Sequence, residues 1–245
     1  MADERESRDV KPDVELASLQ AVARGSERAV YLHPDHPELV FKVVVGKDLS
    51  HMPRGFERMS LRLFPNKLKM RRSRKEMDSY LLAKMTHHNA GVGFPVAEMR
   101  GFYETDLGLA VAFERVADRD GRLGSSLEKM CIERSLTLRH IEQLNDFVRR
   151  LLTWNLVASD LNLANIVLGL RNDVEQFVLV DGMGAPHLVP IRYWSRAFNR
   201  REMLGKLVGM GPKLSSGADG INVRFDRVSR QFEMTEAATS EVTGS

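Results

Sequence analysis

Three oxygen-bearing side chains occur in an order that chemistry can use: Asp160, Asn165 and Asp181. The first two lie in "VASDLNLANIVLGL" (Val157 to Leu170), five residues apart inside an apolar run. Asp181 closes the strand-like "QFVLVD" and is followed by the turn "GMG". A carboxylate and an amide oxygen facing one pocket suit Mg2+, which takes oxygen ligands and keeps waters and substrate phosphates for its remaining positions. Asp160 could then orient an acceptor hydroxyl and take its proton during phosphoryl transfer. Taken singly, each of the three is an ordinary turn residue or strand-end cap. Their shared order is what points to chemistry.

Upstream residues extend the set. Lys42 lies mid-strand in "LVFKVVV", where a buried ammonium is costly unless paired. It could snorkel from an edge strand, or reach nucleotide phosphates while a carboxylate on the following helix holds it. Glu76 is the candidate partner, although "SRKE" (Ser73 to Glu76) also fits a helix-capping box. In "ARGSERAV" (Ala23 to Val30), Gly25 lets backbone N–H groups approach phosphates closely; a plain hairpin turn is the alternative.

These residues need elements to hold them. From Leu16 to Val45 the pattern is strand-like: "LASLQAVA", "RAVYLH", a turn at "PDHPE", then "LVFKVVV". The spacing of Met77, Leu81 and Met85 predicts a helix in "SRKEMDSYLLAKM" (Ser73 to Met85). Two further strands are expected at "PVAEMRGFY" and "GLAVAFERV". A long helix follows from about Thr137, its cap, to Asn155, with Ile141, Leu144, Val148, Leu151 and Leu152 on one apolar face. The remaining elements are the two short strands around Asn165 and Asp181 and a helix in "YWSRAFNRREMLGKLVGM". Five strands with one helix, then a mostly helical half, predict a small sheet lobe and a helical lobe with a cleft between them, where ligands are favoured. The expected divisions are a disordered lead over 1–14, a sheet lobe over 15–116, a helical lobe over 117–214 and a mostly disordered tail over 215–245, in which "INVRF" could form a short strand.

Several motifs together resemble known proteins. "ASDLNLANIVL" looks like the catalytic loop of protein kinases, "LVDGMG" like their metal-binding turn and "VFKVV" like their lysine strand. Gly25 and Val30 match a glycine-rich loop in which Ala23 and Arg28 replace the other glycines. More closely, the chain resembles the bacterial YrbL family, kinase-like proteins linked to the PhoP regulatory network. The features that carry this are "ARGSERAVYLHPDHPELVFKVV", "RKEMDSYLLAKM", "NIVL" and "LVPIRYWSRAFNRREMLGKL", and the likeness runs from about Leu16 to Gly209. It implies an α+β, protein-kinase-like two-lobe fold with an antiparallel sheet and one helix in the N-lobe and a reduced helical C-lobe. It also implies ATP and Mg2+ as cofactors. Lys42 would contact the α- and β-phosphates and Glu76 would pair with it, Asn165 and Asp181 would hold the metal, and Asp160 would serve the acceptor. Gly25, Val30, Phe113, Glu114 and Val116 would surround the nucleotide. The sequence departs from the kinase pattern in places: Ala158 and Ser159 stand where a His-Arg pair is usual, Asn162 where a lysine is usual, and Met183 where the metal turn has glycine. Little chain separates Asp181 from the last helix, which favours a small-molecule, sugar or lipid acceptor over a protein.

The whole chain fits this without deciding it. Its 245 residues, 43% hydrophobic and 28% charged, can bury a substantial core. One cysteine, Cys131, excludes an internal disulfide framework and a Cys-rich zinc site. The polar N-terminus is no signal peptide and no stretch is apolar enough to span a membrane, so a soluble cytoplasmic protein is expected. The net charge of +3 is mild, but "RGFERMSLRLFPNKLKMRRSRK" (Arg54 to Lys75) holds nine Lys/Arg against Glu57 alone. Three readings follow. One is an ATP- and Mg2+-dependent phosphotransferase. The second is a pseudokinase or nucleotide-binding regulatory scaffold. The third is a basic module that meets RNA or anionic lipid through Arg54–Lys75.

Overall fold

The apolar, β-branched run around Lys42 builds the central strand of an antiparallel sheet. A computed structural model describes residues 12–25, 28–44, 71–86, 91–184, 195–218 and 221–236. Its strands are β1 (Ala23–Arg24), β2 (Arg28–His33), β3 (His36–Val44), β4 (Met99–Thr105) and β5 (Gly108–Glu114), in the order β1-β2-β3-β5-β4. All neighbours pair antiparallel. Contacts divide the chain into two compact units. The first takes Met1–Arg71 with Glu98–Arg115, and the second takes Arg72–Ala97 with Val116–Ser245.

In the first unit, side chains alternate across the sheet. Ala29, Tyr31, Leu39, Phe41, Val43, Ala110 and Ala112 form a buried cluster with Val14 and Leu16. Val14, expected in a disordered lead, is in fact fixed: it bridges to Thr105, and its N–H donates to the Glu104 carbonyl at 3.2 Å. Nothing is described before residue 12. The strand expected in "LASLQAVA" shrinks to Ala23–Arg24. The preceding residues turn instead, because Asp106 accepts hydrogen bonds from the N–H groups of Leu16 and Ala17. Those bonds hold the Asp106 carboxyl below the usual aspartate range, with the bond from Leu16 the largest cause.

The second unit contains α1 (Arg71–Thr86) from Arg72 onward, α2 (Leu127–Ile132), α3 (Leu138–Thr153) and α4 (Arg196–Ser216). It also contains the three-stranded sheet β6-β7-β8: β6 (Ser125–Ser126) precedes α2, and β7 (Ile166–Arg171) and β8 (Val174–Leu179) follow α3. Because α1 already begins at Arg71, Ser73 lies inside it, and the capping-box reading of "SRKE" does not hold. An aromatic chain ties α1 to the end of α3: Tyr80 meets Phe94 edge-on at 5.4 Å, and Phe94 meets Trp154 at 4.7 Å. The strand expected in "PVAEMRGFY" begins only at Met99. Pro95 cannot donate to a ladder, and Val96 bridges to Leu179 of the second unit instead.

The expected apolar face of α3 is buried in full, from Ile141 to Leu152, and Phe147 and Arg150 join it. The tail departs most from expectation. Residues 221–236 are not disordered but form the hairpin β9 (Ile221–Asp226) and β10 (Gln231–Glu236). Val223, Phe225 and Phe232 are buried there, because a period-two apolar pattern gains stability once α3 and α4 supply a surface to cover. Among the described residues no helix is long and apolar enough to cross a membrane.

Candidate active site

In the first unit, the face of the sheet opposite the core cluster gathers three of the expected residues. Lys42 sits directly across from Val30 on β2 and from Val111 on β5. Its ammonium lies over the Phe113 ring, 4.3 Å from the centroid, and both residues are buried. The ring's negative face attracts the cation, so β3 and β5 fix where the lysine head rests. Glu114, the next residue, approaches Arg100 at 3.8 Å, and its N–H donates to the Glu98 carbonyl at 2.8 Å. Gly25 closes the β1–β2 connection by donating its N–H to the Arg28 carbonyl at 2.8 Å.

In the second unit, Glu76 is buried on α1. Val116 is buried where the chain enters this unit. Its side chain fills the space beside Gly169, where an added Cβ would come within 2.6 Å of it. Val116 therefore has a packing role in any case. Of the basic stretch Arg54–Lys75, residues 54–70 lie outside the described residues and the remainder begins α1.

The loop after α3 brings Asp160, Asn165 and Asp181 to one end of the β7–β8 hairpin. Ile166 pairs with Leu179, and the Val180 N–H donates to the Asn165 carbonyl at 2.9 Å. Asp181 therefore begins one residue past the rung that holds Asn165. A turn of 3-10 helix, Leu163–Asn165, leads into β7, and Asn162 caps it, its Oδ1 accepting the Asn165 N–H at 3.0 Å. The same amide donates through Nδ2 to Asp160 Oδ1 at 2.8 Å. Asn165 Nδ2 donates to the Asp160 carbonyl at 2.9 Å and reaches Asp160 Oδ2 at 3.4 Å. Both carboxylate oxygens are thus oriented from within the loop.

The turn that follows Asp181 closes against this loop. The Asp160 N–H donates to the Gly182 carbonyl at 3.1 Å, the Gly184 N–H to the Val157 carbonyl at 2.8 Å, and Ala158 bridges to Met183 and Gly184. Gly182 has φ +92°, and a Cβ there would stand 2.5 Å from the Asp160 carbonyl oxygen. Glycine is required at this position for close approach as well as for conformation. Its N–H donates to Asp181 Oδ1 at 2.6 Å and aims the carboxylate. The turn therefore keeps its glycine requirement one residue before Met183.

The donor set suits a hard cation. With Asn165 Nδ2 directed at Asp160, Oδ1 is the atom this amide can offer a metal, and Asp181 adds a carboxylate. Among the described residues, no three His, Cys, Asp or Glu side chains cluster as a metal site. Two protein oxygens with the rest supplied by phosphates and water is a set Mg2+ accepts and Zn2+ does not favour. The sequence reading gave Asn162 no role because it stood in place of an expected lysine; its work is local and appears only as distances. It also passed over Lys206 and Asn199 on α4. Lys206 Nζ donates to the Ser159 carbonyl and reaches that of Ala158 at 3.4 Å. The fully buried Asn199 donates to the Leu156 carbonyl at 2.8 Å and the Asn155 carbonyl at 3.2 Å.

A family described as "PhoP regulatory network protein YrbL" has a sequence model that matches residues 14–214 of this chain. No curated protein matches it. Among solved structures, kinase domains of PknI from Mycobacterium tuberculosis are similar at 16% identity. One double mutant aligns over 84% of this chain and 78% of that one with a TM-score of 0.47. A second double mutant aligns over 86% and 74% at 0.46.

Proposed function

The chain belongs to the PhoP regulatory network protein YrbL family, and we propose that it works there as a kinase-like phosphotransferase, using ATP and Mg2+ to phosphorylate a small molecule, sugar or lipid headgroup. The observation that carries this reading is the hydrogen-bonded assembly of Asp160, Asn162 and Asn165 on the turn of Asp181 and Gly182. Mg2+, when bound, would offset charge on the phosphates. Asn165 and Asp181 would hold it. Lys42 would contact the nucleotide phosphates and Glu76 would hold that lysine in place. Gly25, Val30, Phe113, Glu114 and Val116 would lie about the nucleotide. Asp160 would accept a hydrogen bond from the acceptor hydroxyl and take its proton as the new P–O bond forms and the γ-phosphorus parts from the bridging oxygen of the departing ADP. The restriction of Asp160 by two amides supports this role, since a base held in one rotamer loses less on reaching the transition state.

A second reading, a nucleotide-binding scaffold without transfer, draws on Gly25 standing alone where a phosphate loop usually carries several glycines. Thermal denaturation decides between them. With ligand at about one hundred times its dissociation constant, Mg2+-ATP should stabilise the protein by about 2.7 kcal/mol, raising Tm by about 5–10 °C. Asp181→Ala should remove the metal-dependent part of that shift. No shift with or without metal sinks both readings. A shift with no phosphate transfer to any acceptor, unchanged in Asp160→Asn, selects the scaffold.

A further inference from the structure

The five peptide carbonyls leading to Asp160 do not belong to a regular ladder, yet each has a donor. Those of Asn155 and Leu156 accept from Asn199, that of Val157 from the Gly184 N–H, and those of Ala158 and Ser159 from Lys206. Asn199 and Lys206 are seven residues apart on α4, two turns along one face, with Met203 buried between them. Seven helical residues rise about 10 Å, and three extended residues, the interval between the carbonyls they serve, also span about 10 Å. One helix therefore fastens both ends of the segment that delivers Asp160, and the metal turn fastens its middle.

The end nearest Asp160 is held by a charge. A methionine would fill the same space on α4 but could not donate to the two carbonyls that point at the ammonium. Leu156, Val157 and Ala158 are buried, so without the lysine the Ala158 carbonyl would lose a partner that water does not readily replace. The Asp160 N–H, bonded to the Gly182 carbonyl, follows directly. Any slackening at Ser159 passes into the backbone of Asp160 and the turn of Asp181.

We propose that Lys206 is a positioning residue for phosphoryl transfer: by binding the Ala158 and Ser159 carbonyls, it holds Asp160 and the Asp181–Gly182 turn in register. The proposal rests on the phosphotransferase reading, and its test separates the two. Hydrogen exchange of the full chain in Lys206→Met should show faster exchange at the Asp160 and Gly184 amides and unchanged exchange in the hairpin 221–236. Nucleotide affinity measured by thermal shift should stay within about twofold. The kcat should fall about 10- to 100-fold with little change in KM, as expected for a misplaced base, and Lys206→Arg should restore most of it. If Lys206→Met does not fold, Lys206→Gln, a neutral donor, takes its place under the same criteria. Unchanged exchange at Asp160 and Gly184 overturns the proposal, as does an unchanged kcat or a loss that falls on KM. If the wild-type protein neither binds nor transfers phosphate, the phosphotransferase reading fails, and the exchange comparison alone decides whether Lys206 fastens the loop.

Discussion

Asp160 is held by its sequence neighbours, and that decides what substitutions around it should do. Asn162 caps the 3-10 turn and orients Asp160 Oδ1 with the same side chain. Asn162→Ala removes both contacts. The cap alone is worth about 1 kcal/mol, and the freed carboxylate gains rotamers that compete with the productive one. The expected result is a kcat about tenfold lower, with the Mg2+-ATP thermal shift retained because Asn165 and Asp181 are untouched. An unaltered kcat would show that Asp160 needs no such restraint. Asp160, Asn165 and Asp181 stand out in the sequence through their residue types and order, and the structure brings them to one end of the β7–β8 hairpin. Asn162 and Lys206 do not stand out, since an amide that bonds a backbone N–H and a nearby carboxylate, or a lysine that bonds backbone carbonyls, leaves no mark in spacing.

At the scale of elements, α3 begins with a cap that is sensitive to acid. Its N-cap Thr137 accepts from the His140 N–H, while His140 Nδ1 accepts the Thr137 N–H at 3.1 Å. Only an unprotonated Nδ1 can accept that bond. Burial keeps the His140 imidazole below its ordinary value of 6.5, against the pull of the Glu175 carboxylate. A histidine whose folded pKa is depressed contributes stability that is present above pH 6.5 and lost as pH falls through the folded value. Glutamine at the same position keeps an acceptor without titrating. His140→Gln should therefore remove one step, about 1 kcal/mol in size, from the fall in urea stability between neutral pH and pH 5. A curve identical to wild type would exclude the histidine as its source. The sequence showed this helix and its Thr137 cap because both depend on local pattern. It did not show Arg150, a buried cation that binds Asp146, Gln176 and the Phe177 carbonyl. Those bonds join α3 to β8 and so to the hairpin that carries Asn165 and Asp181, and their partners lie up to 27 residues away.

At the scale of the whole molecule, the second unit extends through the C-terminal hairpin. The strand read in "INVRF" is β9; "QFEMTE" alternates as well, but polar, small-residue flanks hid its pairing, and only packing on α3 and α4 shows the use of the hairpin. Asn145 on α3 grips the hairpin by accepting the Phe232 N–H at 2.6 Å and donating to its carbonyl at 3.0 Å. Ser215 on α4 does the same for Val223, at 2.8 and 3.1 Å. Phe225 and Phe232 meet edge-on at 5.0 Å inside that clamp. Because α3 delivers the loop of Asp160 and α4 fastens it, a hairpin that bonds to both helices helps set their spacing. Phe232→Ala leaves a cavity that should cost about 3–5 kcal/mol, measured as a lower urea midpoint. The loss should extend beyond the hairpin: hydrogen exchange should also quicken at the amides of α3 that face it and at those of Leu156 to Asp160. If protection is lost in residues 221–236 alone, the hairpin is an ornament on a site that α3 and α4 support by themselves.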